Sequence, residues 1–187
     1  MIVPIVLYGQ PVLRQKAPNV PDVTAPEVRQ LIDDLIDTMR AAHGLGLAAP
    51  QIGVSLQAAV VDVAEADDRP SRLWINGKSV ELEDYMPLIL LNPQVLGIKT
   101  KELGGEGCLS IPGVSAEVAR SARVKVTTHT LEGKLFSFEA DGLLARAIQH
   151  EVDHLNGKLF IDLLSKKERE ELKEDLDAIR GSAWLPS

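Results

Sequence analysis

Three features of this 187-residue chain predict an α+β fold, with mostly antiparallel sheets around a central helix and with an N-terminal and a C-terminal helix. Apolar residues recur at three- and four-residue steps in separate runs, which is helical spacing. Other segments alternate with period two, or are short branched runs bounded by Pro and Gly, as strands are. The two kinds do not alternate regularly, which a doubly wound α/β fold would require. The length suits one domain, 1–187.

The first segment, MIVPIVLYGQPVLRQKAP, is apolar but broken by Pro4, Gly9, Pro11 and Pro18, and reads as extended chain lying on a core. Thr24-Ala25-Pro26-Glu27 has capping-box spacing, and Val28, Leu31, Ile32, Leu35, Ile36 and Met39 then form a helical stripe that ends at Gly44. LQAAVVDV (56–63) and PLILLNPQVLG (87–97) read as strands. The polar stretch between them, 64–84, is a surface excursion with a short hairpin at Asn76-Gly77. RVKVTTHTL (123–131) and KLFSFEA (134–140) predict a β-hairpin across Glu132-Gly133. Asp141 is placed to N-cap a second helix, LLARAIQHEVDHLN, which stops at Gly157. A third helix is expected over about 165–180.

Lys+Arg 20 against Asp+Glu 27 gives a net charge of -7, which argues against a general nucleic-acid binder. No apolar run approaches the roughly 20 residues of a membrane span, and the start lacks a secretory pattern, so a cytoplasmic protein is expected. One cysteine, Cys108, excludes an intramolecular disulfide.

His150-Glu151-Val152-Asp153-His154 carries the strongest chemical signal. Histidines at i and i+4 share one helix face, so both imidazoles can reach one ion. Glu151 falls beside them, where a general base can meet a water without filling the open coordination position. Two histidines need a third ligand. Cys108 in the Gly-rich loop GGEGCLSIPG would supply a thiolate suited to zinc or iron. The competing ligand is a glutamate of the last helix, Glu168, Glu170, Glu171 or Glu174, as in zinc peptidases, although those carboxylates sit among Lys and Arg as on a solvated face. His129 and His43 are read as structural or exposed.

GLGLAAPQIG (44–53), EGCLSIPG (106–113) and QHEVDHLNGKLF (149–160) together resemble the peptide deformylase family in order and spacing, with YGQPVLR near the start in agreement. The resemblance implies a metal-dependent hydrolase that removes the N-formyl group from the N-terminal methionine of new polypeptides. It implies Cys108, His150 and His154 as metal ligands, Glu151 as catalytic acid/base, and Gln51 with the Leu109 backbone N–H as oxyanion donors. It implies Fe2+ as the native ion, replaceable by Zn2+, Ni2+ or Co2+. A non-catalytic, metal-stabilised binding protein is the alternative from another class.

For substrate, Gly46, Gly104 and Gly105 lack side chains that would block a peptide backbone, and the methionine pocket is expected to include Leu143, Arg146 and Ala147. Arg146 departs from the apolar residue expected there and is read as a rim residue or as one that narrows preference. The family's C-terminal helix can dock near the ribosomal exit. Here Lys166, Lys167, Arg169, Lys173 and Arg180 face six acidic neighbours, so no basic stripe supports docking to RNA.

Overall fold

The structure is a computed structural model and describes residues 1–66 and 68–186. In chain order the elements are β1 (Ile5–Val6), α1 (Pro26–Ala41), β2 (Gly46–Ala48), β3 (Ala58–Val61), β4 (Leu73–Ile75), β5 (Lys78–Val80), β6 (Leu88–Leu91), β7 (Gln94–Gly97), β8 (Lys101–Cys108), β9 (Ile111–Ser121), β10 (Arg123–His129), β11 (Leu135–Asp141), α2 (Gly142–Leu155), α3 (Lys166–Glu171), α4 (Lys173–Ala178) and β12 (Ala183–Trp184). The strands form four antiparallel sheets, ordered β1-β12, β5-β4-β11-β10-β7, β2-β3-β6 and β8-β9. This is the expected α+β architecture.

Helix α2 is central in a literal sense. Leu143 to Ile148, His150, Glu151, His154 and Leu155 are all buried, so apolar contacts surround most of its circumference. One cluster joins it to β3, β10 and β11 through Ala59, Val61, Val124, Val126, Phe138, Leu144 and Ile148. A second packs the α1 stripe on β2 and β3, and a third holds β9 against Phe160, Ile161 and Leu176 near the C-terminal end. Burying one such Leu or Ile contributes about 2 kcal/mol, and α2 is therefore a rigid platform.

Local details depart from the sequence reading. The capping box at Thr24 does not form: Ala25 is the N-cap, and the Thr24 hydroxyl donates to Asp22 at 2.6 Å instead. Helix α1 ends with His43, not Gly44, in the left-handed region (φ 53). His43 N–H bonds Arg40 O and Gly44 N–H bonds Met39 O, the paired pattern of a Schellman end. A Cβ at Gly44 would stand 2.7 Å from Leu109 Cδ1, so that side chain would have to shift.

The run 87–97 splits into β6 and β7 in different sheets, because Asn92 turns the chain (φ 49) and clamps Val20 through both backbone groups. The extended start contains a 3-10 turn at Pro11–Arg14. The excursion does hold a hairpin at Asn76-Gly77, but β4 also pairs with β11 and so extends the large sheet. Asp141 stands at the N-cap of α2 without capping it. Its carboxylate accepts from Arg72, and Ser71 Oγ accepts the Leu144 N–H at 2.8 Å in its place. The third helix is two short pieces with Leu172 between, still bridged by Leu176 N–H to Leu172 O at 2.9 Å. The GGEGCLSIPG segment is not a loop: it is the end of β8 and the start of β9, with Leu109-Ser110 as the turn of that long hairpin.

Candidate metal centre and active site

Cys108 ends β8 at a register shift between Gly107 and Cys108, which aims its thiol at the inward face of α2. There Cys108 Sγ lies 3.3 Å from His154 Nε2, and His154 Nε2 lies 3.2 Å from His150 Nε2. All three donor atoms fall within 4.8 Å of one another. A tetrahedral ion with ordinary bond lengths needs about 3.3 Å between two nitrogens and about 3.6 Å between nitrogen and sulfur. The donors therefore fit a divalent metal in spacing and in chemistry. Glu168, Glu170, Glu171 and Glu174 are exposed and take no part in this cluster. The Glu168 carboxylate instead accepts the Ser165 N–H at 2.7 Å. His43 and His129 also lie outside the cluster.

Glu106 is the site residue that motif reading missed. Glu106 is 8% exposed, and its carboxylate meets His150 Nδ1 at 2.8 Å and takes two hydrogen bonds from Arg120 and one from Arg146. Arg120 continues to Asp153 on α2. Burial opposes ionisation of Glu106, but the hydrogen bonds from His150 and Arg120 outweigh it and hold the carboxyl at about 2. A permanent anion on Nδ1 orients the His150 ring and leaves Nε2 toward the donor cluster. Glutamate two residues before the cysteine and a strand arginine were the available signals, but neither is distinctive alone.

Arg146 is not at a rim. It is 8% exposed, and its guanidinium bonds Glu106, Val118 O at 2.7 Å and Glu102 O at 2.8 Å. Gly104 makes room for it, because a Cβ there would lie 2.8 Å from the guanidinium carbon. Gly46 similarly makes room for Glu151. Of the three glycines expected to admit a peptide backbone, two thus have intramolecular reasons, and Gly105 has open space apart from Glu117 at 3.5 Å.

A cleft of about 670 Å³ collects Gly46, Gln51, Cys108, Leu109, His150 and Glu151, with Leu143 and Ala147 on its wall. Glu151 is buried, and its Oε2 has no partner among the described residues. Burial pushes it up to about 7, against the pull of His150. His154 is shifted down, first by burial and then by charge from His150, which favours the neutral imidazole a metal needs. For His150 burial alone would lower the value, but hydrogen bonds to Cys108 and Glu106 outweigh it and raise it. Gln51 sits in the 3-10 turn Ala49–Ile52. Its Oε1 accepts the Ala48 N–H at 2.9 Å, so Nε2 points at Ser110 Oγ (3.2 Å) and Cys108 Sγ (3.6 Å). Trp184 closes one wall and donates to Leu109 O at 3.0 Å.

Comparison with known proteins agrees with this geometry. The family model described as polypeptide deformylase matches residues 2–170. A peptide deformylase of Methylacidiphilum infernorum is 47% identical over 99% of this chain and 97% of its own length. The crystal structure of a Legionella pneumophila peptide deformylase superposes with a TM-score of 0.78 at 36% identity, covering 95% of this chain and 94% of that one. That of Synechococcus elongatus gives 0.76 at 40% identity, covering 92% and 83%. A match of this extent, on a chain whose cleft gathers a thiol and two imidazoles beside a buried carboxyl, places the chain in the peptide deformylase family, whose members remove the N-formyl group from nascent peptides.

Proposed function

We propose that this chain, as one catalytic domain over 1–187, is a metal-dependent deformylase in which Cys108, His150 and His154 hold the ion. The observation that carries this reading is a thiol and two imidazoles within 4.8 Å of one another beside a buried carboxyl with an unpartnered oxygen. When bound, a divalent ion supplies Lewis acidity toward water and the formyl oxygen. We assign Fe2+ as the native ion on the family resemblance, with Zn2+, Ni2+ or Co2+ able to occupy the same donors.

Glu151 takes the proton of the attacking water and returns it to the departing amine. Its elevated affinity for a proton, about 7, matches both halves of that task. Gln51 Nε2 and the Leu109 N–H donate to the oxygen that gains charge as the formyl carbon becomes tetrahedral. The methionine side chain lies against Leu143 and Ala147, and the peptide runs beside Gly105 and away from Cys108 along β8. Arg146 and Gly104 build the floor under that strand. The substrates are N-formylmethionyl nascent chains met in the cytoplasm. No described helix is long and apolar enough to cross a membrane. The mixed charge of α3 and α4, with Lys166 and Lys167 each within 4.0 Å of a glutamate, argues against docking to RNA.

The test is formate release from a formyl-Met peptide by protein loaded with Fe2+ without oxygen. Activity lost in Glu151→Gln with metal retained, and metal lost in Cys108→Ala, supports the assignment. Full activity in Glu151→Gln overturns it.

A further inference from the structure

We propose that Arg69 is a specificity determinant of the cleft, favouring peptides with an acidic side chain in the residues just after the formyl-methionine. The inference rests on the deformylase reading and adds a substrate preference to it. Arg69 lines both the catalytic cleft and the adjoining groove of about 440 Å³, which runs on past Gly105 and Gly104. The other charged groups on the cleft wall are committed: Glu106 to His150 and Arg120, Arg146 to Glu106 and backbone carbonyls, and Glu151 and His150 to the reaction centre. Apart from Glu151, which serves the reaction centre, Arg69 is the charged group of this wall that has no ion pair or side-chain hydrogen bond among the described residues.

Its position is anchored from the catalytic helix. Pro70 packs on Gly142, where a Cβ would lie 3.1 Å from the Pro70 carbonyl carbon. Ser71 Oγ accepts the Leu144 N–H at 2.8 Å, and Arg72 grips Asp141 through Nε and a terminal nitrogen at 2.9 and 2.6 Å. Three successive attachments follow Arg69, and its own N–H bonds Ala66 O at 3.2 Å. Arg69 is thus held beside the cleft by chain fixed to the N-terminal end of α2.

Distance along β8 sets which substrate residues it meets. From Cys108 to Gly105 is three residues of strand, about 10 Å. A peptide with its formyl group at Cys108 brings its second or third residue to that point. Asp68, Glu102 and Glu117 share the groove and reduce the local potential, so the preference is moderate. Partly exposed ion pairs of this kind correspond to about fivefold at most.

The experiment compares kcat/KM for formyl-Met-Ala-X and formyl-Met-X-Ala peptides, with X as Glu, Gln or Lys, on the metal-loaded protein. The expected result is Glu over Lys by about fivefold in one series at low ionic strength, shrinking in about 0.5 M salt. Arg69→Ala brings the ratio near one, and Arg69→Glu reverses it. Equal ratios in all three proteins, or no Glu preference in the unmodified one, overturn the role of Arg69. Formate release from none of the peptides overturns instead the deformylase reading on which it rests.

Discussion

The missing side chain of Gly46 is the space that the Glu151 carboxyl occupies: a Cβ built there would stand 2.9 Å from Glu151 Cδ. Strand β2 and helix α2 therefore meet through a glycine and a carboxylate whose Oε2 has no hydrogen-bond partner among the described residues. Gly46→Ala must push the carboxyl along the cleft. Displacing a reacting group by about 1 Å costs on the order of 100-fold in rate. Steady-state kinetics should show kcat reduced by that order, while metal content matches that of the unmodified protein.

On the proposed ligand set, Glu106 links metal affinity to acid stability. Replacing it with Gln leaves Arg146 without a counter-ion, Arg120 with Asp153 alone, and His150 without an anionic acceptor. Outer partners of this kind are worth about 10- to 100-fold in metal affinity, so Glu106→Gln should release metal to a chelator correspondingly faster.

The same carboxyl has a pH signature. Its folded value, about 2, lies below the ordinary 4.5. A depressed acid stabilises the fold fully above about pH 4.5 and loses that contribution as pH falls through about 2, a span worth about 3 kcal/mol. With chelator present throughout, urea unfolding at pH 6 should find Glu106→Gln the less stable protein. The gap should narrow at pH 3.

What the sequence made legible was local. The hairpin at Glu132-Gly133, the stripe of α1 and the paired histidines of α2 each rest on spacing within a few residues, and each is present in the fold. Contacts between distant residues were not legible. Arg120 meets Glu106 across a hairpin whose glycines suggested a loop, because Gly104, Gly105 and Gly107 weaken strand signals and only the pairing with β9 restores them. Arg146 broke the apolar pattern of its helix for a reason that lies on β8, and Asp141 faced two partners between which spacing cannot choose.

Ser71 illustrates that blindness, since it caps α2 from 73 positions earlier in the chain. Loss of a cap costs about 1 kcal/mol, and in a domain of this size that lowers Tm by about 3 °C. Ser71→Ala should show this in calorimetry. Asp141→Ala should act through loss of the Arg72 pair rather than through the helix end, and Ser71→Asp, which keeps an acceptor, should recover part of the difference.

Gln51 separates two roles that one geometry permits. Its amide oxygen is held by the Ala48 N–H, and its nitrogen reaches toward both Ser110 Oγ and Cys108 Sγ. As the proposed oxyanion donor, Gln51→Ala should lower kcat/KM by about 100- to 1,000-fold, the usual effect of removing one such donor. Gln51→Glu is the sharper substitution. It keeps the shape and the bond from Ala48 but presents an ionised oxygen where a donor stood, so its activity should fall at least as far as that of the alanine variant. Chelator resistance should change little in either protein, because the proposed ligands Cys108, His150 and His154 are unchanged. If metal loss, and not turnover, is the main effect, then Gln51 serves the Cys108 thiolate and the oxyanion rests on Leu109 N–H alone.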